Sequence, residues 1–228
     1  MKKEFIFESD YNRILLPESQ QALTGRKGTV LNIACEYTLI PDFLKGIVSP
    51  ENVYGLEINK EIVKNNPQVR YCDVDHDAIP FDNASLDLIL SIWGFEHFQT
   101  DNIFKESSRV LNAGGRLIML TPNIVNPLFL ANKLSKGWAS EIYFKYLTKS
   151  QYKPHETHYN FNKAATIERA AKKHGLTLEK TIYFGPSFYT KYFEFNKILE
   201  SLVIKTDKLI TNPVFGYLKP YIICVIKK

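Results

Sequence analysis

In the first half of the chain, apolar residues gather into short, nearly unbroken runs separated by polar and charged stretches. The runs "TVLNIA" (29–34), "VYGLE" (53–57), "VRYCD" (69–73), "LDLILS" (86–91) and "RLIMLT" (116–121) each have the length of one strand. Continuous rather than alternating apolarity predicts parallel strands covered on both faces. Between them, residues 38–46, 59–66 and 100–111 read as helical, the last stopped by "NAGG". Strand and helix in this alternation predict right-handed crossovers and an α/β, doubly wound, mostly parallel sheet.

After "TPN" (121–123) the rhythm breaks. Residues 124–160 are aromatic and lysine-rich without strand alternation, which predicts an inserted helical and aromatic cap. A helix is expected over 162–174, ended by Gly175, and a strand over 176–184. Phe195, Ile198, Leu199, Leu202, Leu209 and Ile210 recur at helical spacing, predicting an additional amphipathic helix within 190–215 whose apolar face packs on the sheet. "PYIICVIKK" closes the chain as an edge or hairpin strand. With no internal repeat and no low-complexity linker, the 228 residues read as a single domain.

Composition narrows the function classes. No apolar run approaches the roughly 20 residues that span a bilayer, and acids enter "MKKEFIFESDYNR" too early for a leader. Cys35, Cys72 and Cys224 are odd in number and widely spaced, which suits a reducing, cytoplasmic setting and neither a zinc site nor a disulfide framework. Charge is polarised: residues 1–123 hold 12 Lys and Arg against 17 Asp and Glu, whereas residues 124–228 hold 17 against 7 and 18 of the 30 aromatics. A basic, aromatic half fits an anionic small molecule, a membrane surface or nucleic acid. A solvated lysine-rich surface over a tyrosine-rich cap fits equally well.

The stretch from Tyr71 to Asn123 is the most specific. Ile79-Pro80-Phe81, Ser85-Leu86-Asp87, Glu96-His97 and the run Glu106 to Gly115 follow one another there. In order and spacing they resemble the class I S-adenosylmethionine-dependent methyltransferases of the type 11 kind. The resemblance covers residues 10–123 well and 155–185 loosely, and it implies a seven-stranded Rossmann-like sheet, S-adenosylmethionine as cofactor and methyl transfer as the activity. In open parallel sheets the ligand sits beyond the carboxyl ends of the strands. Glu57, ending the second strand, is then expected to accept from the ribose hydroxyls, with Ile58 against the adenine face. Asp73, or Asp75 two residues on, would accept from the adenine amino group, and the Val74 amide would face a ring nitrogen; Asp77 reads as a solvated turn residue. Ser91, Ile92 and Trp93 are expected to line the methionine and sulfonium side, Trp93 serving equally as a lid. Arg13 stands where the resemblance places an arginine for the cofactor carboxylate, a surface ion pair being the other reading.

The first loop departs from the resemblance. Asn32, Ala34, Glu36 and Thr38 stand where an acid and glycines are usual, and a non-glycine residue forced into a strained backbone costs about 1–3 kcal/mol. Either the loop is repacked, with Glu36 meeting the cofactor's ammonium and Asn32 orienting the loop through its amide, or the pocket is impaired and the chain is a noncatalytic binding or scaffold protein. A hydroxyl acceptor calls for a base. His97, His155 and His158 are candidates, and His158 in "KPHETHYNF" is favoured. The expected acceptor is a hydroxyl of a glycan, lipid-linked sugar or secondary metabolite, met by Trp138, Tyr143, Phe144, Tyr146 and Lys149, which also suit an anionic group. Nucleic acid is disfavoured because "SIWG" stands where a "[DN]PP[YFW]" signature would follow the fourth strand. Peripheral membrane contact through 192–210 stays open, no metal is expected, and the oligomeric state is not set.

Overall fold

The computed structural model describes residues 1–6, 10–138, 156–185, 197–209 and 215–228. Eight strands form one sheet: β1 (Lys2–Ile6), β2 (Val30–Ile33), β3 (Val53–Glu57), β4 (Val69–Tyr71), β5 (Leu86–Ile92), β6 (Leu111–Pro122), β7 (Thr177–Phe184) and β8 (Tyr221–Lys227). Their order is β1-β7-β8-β6-β5-β2-β3-β4. β8 runs antiparallel to β6 and β7, and every other neighbouring pair is parallel. The doubly wound, mostly parallel arrangement is the one the apolar runs predict. β1 is a strand beyond the seven expected. It pairs with β7 at the sheet edge and is only partly buried, so it lacks the continuous apolar run that marks the central strands.

The chain leaves β2 outward to β3 and β4 and returns on the other side to β5 and β6. The carboxyl ends of β2 and β5 therefore open the crevice in which this fold binds ligands. Helices cover both faces: α1 (Tyr11–Leu23), α2 (Lys60–Asn65), α3 (Asn102–Val110) and α5 (Ala164–Lys173), with α4 (Pro127–Leu134) and α6 (Lys197–Leu209) further out. One apolar layer includes Leu31, Ile33, Phe95, Phe104 and Ile167, and the other includes Leu15, Phe43, Leu88, Leu90 and Phe184.

Residues 38–46 do not form the helix expected of them; only Asp42–Leu44 make a single 3-10 turn. The Asn32 side-chain amide donates to the carbonyls of Thr38 at 3.0 Å and Leu39 at 3.1 Å, the acceptors a first helical turn would use. Pro41 removes a further donor. α1 packs on that turn instead, capped by Asp10, which accepts from the Asn12 N–H at 3.0 Å. It buries Ile14, Leu15 and Ala22, and its buried Glu18 pairs with Lys180 of β7 at 2.7 Å. α6 also differs from expectation: Ile198 and Leu202 are exposed, and the helix makes no extensive contact with any strand. Of the cap and outer helix, residues 139–155, 190–196 and 210–214 are outside the described residues.

The charged residues of the "ESSRVL" and "SLD" segments tie crossovers to the sheet. Buried Glu106 accepts from the Ile79 N–H at 2.9 Å and from Arg109 at 2.6 Å, while Arg109 also donates to the carbonyls of Ile79 and Phe81. Burial pushes the Glu106 carboxyl up, yet these donors outweigh it and hold the group below its ordinary value. Buried Asp87 accepts from the Gly28 and Thr29 N–H groups and from Asn112. Glu106→Ala leaves the Ile79 N–H without its acceptor and Arg109 without its carboxylate partner, so a loss of about 2–4 kcal/mol in urea unfolding is expected. A loss under about 0.5 kcal/mol, the scale of a surface pair, would refute the clamp.

Candidate functional site

A cavity of about 430 Å³ opens at the carboxyl ends of β2, β3, β4 and β5, within the range of small-ligand pockets. Its wall includes Tyr11 of α1, the loop Asn32 to Glu36 with Thr38, Glu57 and Ile58 after β3, and Asp73 to Asp75 after β4. Ile92, Trp93, Gly94, His97, Phe98 and Glu156 also line it, with Pro41, Leu56 and Cys72.

The loop keeps a glycine-type path without its glycines. Ala34 and Glu36 have φ of 56° and 45°, in the left-handed region. The backbone is held there by the Ala34 N–H on the Leu56 carbonyl at 3.0 Å, the Glu36 N–H on Glu57 Oε2 at 3.0 Å, and the Asn32 amide beneath. Room for the side chains comes from neighbouring glycines. A Cβ on Gly94 would lie 2.9 Å from the Ala34 Cβ, and one on Gly55 would lie 2.8 Å from Cys35 Sγ. Burial, with the Glu57 charge nearby, pushes the Cys35 thiol up to about 12, so it is a packed thiol and no nucleophile. The loop is thus repacked, with Asn32 orienting it as expected and Glu36 exposed on the cavity wall.

Buried Glu57 also accepts from the N–H groups of Ile58 at 2.9 Å and Asn59 at 3.1 Å. With Glu36 this fills three of the roughly four acceptor positions of a carboxylate, leaving one toward the cavity. Ile58 lies on the rim with 58% of its surface exposed. The Val74 N–H has no hydrogen-bond partner among the described residues, while its carbonyl accepts from Asn102. Asp75 is committed to the loop after His97, accepting from the Gln99 and Thr100 N–H groups. Asp73 pairs with His76 at 2.9 Å, which raises the His76 pKa. Asp77 accepts from the Asp73 N–H and stays on the exposed side of the turn.

Four expected positions fall differently. Ser91 is fully buried beneath Gly94, because strand alternation turns it to the same face as Ile89, and it does not line the cavity. Arg13 is not on the wall. It sits about 200° around α1 from Tyr11 and pairs with Asp10 at 3.7 Å, whereas Tyr11 lines the cavity. His158 is off the described wall; its backbone N–H donates to the Glu96 carbonyl at 2.8 Å. Trp138 is exposed and away from the wall, and His155, Tyr143, Phe144, Tyr146 and Lys149 lie outside the described residues. Trp93 has φ of 61° and stands edge-on to Tyr11 and Tyr221, with ring centroids 6.0 and 4.9 Å away. His97 is on the wall, its Nδ1 2.6 Å from the Glu156 carbonyl. Tyr11, Gly94 and Glu156 had not been singled out from sequence; only "SIWG" carried a signal, the glycine after an aromatic at a strand end.

Residues 31–119 match a family model described as a methyltransferase domain. Solved structures are similar across nearly the whole chain. A SAM-dependent methyltransferase from Archaeoglobus fulgidus has a TM-score of 0.55 at 14% identity, covering 95% of this chain and 94% of its own. One from Mesorhizobium loti has a TM-score of 0.54 at 12% identity, with coverage of 93% and 96%. Geranyl diphosphate C-methyltransferase from Streptomyces coelicolor A3(2), in complex with Mg2+, geranyl-S-thiolodiphosphate and S-adenosyl-L-homocysteine, has a TM-score of 0.52 at 14% identity, with coverage of 94% and 75%. No curated protein matches the chain in sequence.

The exchange of glycines between loop and neighbours is testable. A Cβ at position 94 would also lie 2.6 Å from Ser91 Oγ, so Gly94→Ala should lose about 1–3 kcal/mol of stability. Adding Ala34→Gly should restore part of it, and a double-mutant coupling below about 0.3 kcal/mol would refute the exchange.

Proposed function

We propose that the chain is an S-adenosylmethionine-dependent methyltransferase that methylates a hydroxyl of a small-molecule acceptor: a glycan, a lipid-linked sugar or a secondary metabolite; the methyltransferase-domain match over residues 31–119 supports this reading. The observation that carries the hydroxyl assignment is His97 on the cavity wall. Its Nδ1 donates to the Glu156 carbonyl, so the neutral ring has its lone pair on Nε2, as a base requires.

The residues present fit the cofactor. Glu57 keeps one acceptor position for a ribose hydroxyl, Ile58 offers an exposed apolar face for adenine, and the Val74 N–H and Asp73 carboxylate suit the edge of the base. The wall carries Glu36, Glu57, Asp73, Asp75 and Glu156 and, among the described residues, no Lys or Arg, which complements a sulfonium and an ammonium. When bound, S-adenosylmethionine supplies a methyl group on positively charged sulfur. The chain's part is to hold, align and dry the site, and alignment alone is worth several kcal/mol. Trp93, wedged between Tyr11 and Tyr221, forms a fixed apolar wall there, and His97 removes the acceptor's proton. An acidic wall favours an uncharged acceptor over an anionic one. Among the described residues no helix is long and apolar enough to cross a membrane, and the three buried free cysteines support a cytoplasmic setting.

Calorimetry with S-adenosylhomocysteine and product analysis by NMR test the proposal. Glu57→Ala should weaken binding at least about tenfold. His97→Ala should bind within about twofold of the parent and lose at least about 100-fold in turnover. Binding unchanged by Glu57→Ala overturns the cofactor placement. A methyl group found on carbon, or turnover untouched by His97→Ala, overturns the hydroxyl assignment.

A further inference from the structure

Next to His97, the side chain of Glu96 faces inward. It is buried, and Oε2 accepts from the Thr121 hydroxyl at 3.2 Å. Thr121 Oγ1 accepts in turn from Asn162 Nδ2 at 2.5 Å, and the same Nδ2 donates to the Pro122 carbonyl at 3.0 Å. A carbonyl can only accept, so Pro122 fixes which end of the Asn162 amide carries nitrogen. Asn162 Oδ1 is then a buried acceptor with no donor. The hydroxyl thus takes a proton from the amide nitrogen and gives its own to the carboxyl, while the amide oxygen in the same buried cluster has no donor. An ionised Glu96 would be a buried charge with no cation bonded to it among the described residues. The titratable groups on the elements around it are His97 on its own turn, Glu156, His158 and Lys163 on the segment docked over it, and Lys133 of α4; none bonds to its carboxyl. Consistent with this, burial pushes the Glu96 carboxyl up to about 7, against the lowering effect of its hydrogen bonds.

The backbone of Glu96 holds what lies above it. Its carbonyl accepts from the N–H groups of His158 at 2.8 Å and Tyr159 at 3.1 Å, and Tyr159 has φ of 53°. Asn162, which completes the buried cluster, accepts at its carbonyl from the Ile124 N–H. The segment 156–162 is therefore pinned at one end on Glu96's backbone and at the other on its side-chain cluster. The same segment presents Glu156 to the cavity and its carbonyl to His97.

We propose that Glu96 is a proton-operated latch: carrying a proton, it holds residues 156–162 over the cavity, and on losing it the cluster admits water and the segment lets go of His97. Glu96 is a positioning residue, and its bearing on catalysis rests on the reading of His97 as base. The sign follows from the raised pKa. The closed form is favoured fully below the ordinary carboxyl range, and the advantage shrinks as pH rises through about 7.

The free protein suffices for the test, so failure of the latch is separable from failure of the methyltransferase assignment. Amide hydrogen exchange, corrected for intrinsic rates, should show protection of the His158 and Tyr159 N–H groups falling about tenfold between about pH 6 and pH 8.5. Glu96→Gln, neutral at every pH and close in shape to the protonated carboxyl, should stay protected throughout. Glu96→Ala should be unprotected at both pH values. Should the variants fail to fold, a carboxyl-carbon NMR titration of the parent decides: a Glu96 midpoint near neutrality supports the latch, and one in the ordinary carboxyl range overturns it. A pH response that survives in Glu96→Gln also overturns it.

Discussion

Two buried side chains, Asn32 in β2 and Glu57 at the end of β3, hold the backbone of residues 36–39, and the cavity is built outward from that hold. Left-handed backbone at Ala34 and Glu36 is strained by about 1–3 kcal/mol per residue. Each hydrogen bond to the loop returns about 0.5–1.5 kcal/mol, and more where the acceptor is charged, as at Glu57. The hold has a price in secondary structure. Because Asn32 takes the carbonyls of Thr38 and Leu39, the crossover from β2 to β3 has no α-helix. α1 packs into that place, and its first turn brings Tyr11, rather than Arg13, to the cavity.

Packing around the loop follows the same logic. A loop that lacks glycine carries side chains where backbone alone would fit, so the volume must come from elsewhere. Gly55 gives up its side-chain space to Cys35, Leu39 and Val69, and Gly94 gives up its own to Ala34 and Ser91. Flexibility has been exchanged for contact: the loop path is set by packing and buried hydrogen bonds instead of by residues free to adopt it.

The sheet was legible because burial on both faces demands continuous apolar runs, most clearly in β2, β3, β5 and the second half of β6. β1 was not, since an edge strand needs only one covered side. In the site, Glu57, Ile58, Asp73 and Val74 were legible because strand ends fix where the next residues emerge. Ser91 and Arg13 were misplaced by a single step of periodicity, one strand position and one helical angle, to which proximity in sequence is blind. His158 drew attention as a histidine in a polar stretch, yet its backbone, not its ring, makes the recorded contact. That Asp75 is held by the loop after His97 could not be read from sequence, because the N–H groups that bond to it come from residues 24 and 25 positions away.

Acidic residues near the cavity divide by what already bonds to them. Glu57 and Asp75 are largely occupied by backbone N–H groups, and Asp73 is paired with His76. Glu36 and Glu156 line the cavity with no side-chain hydrogen bond or ion pair recorded among the described residues. A carboxylate already paired adds little net field, whereas an uncompensated one beside a low-dielectric wall acts over several ångströms. Glu57 and Asp75 bond to neutral N–H groups and keep their negative charge, so the charge of the wall is spread over the rebuilt loop, the strand ends and the segment above. Glu36, the residue that makes the loop atypical, supplies in charge part of what the missing glycine supplied in shape.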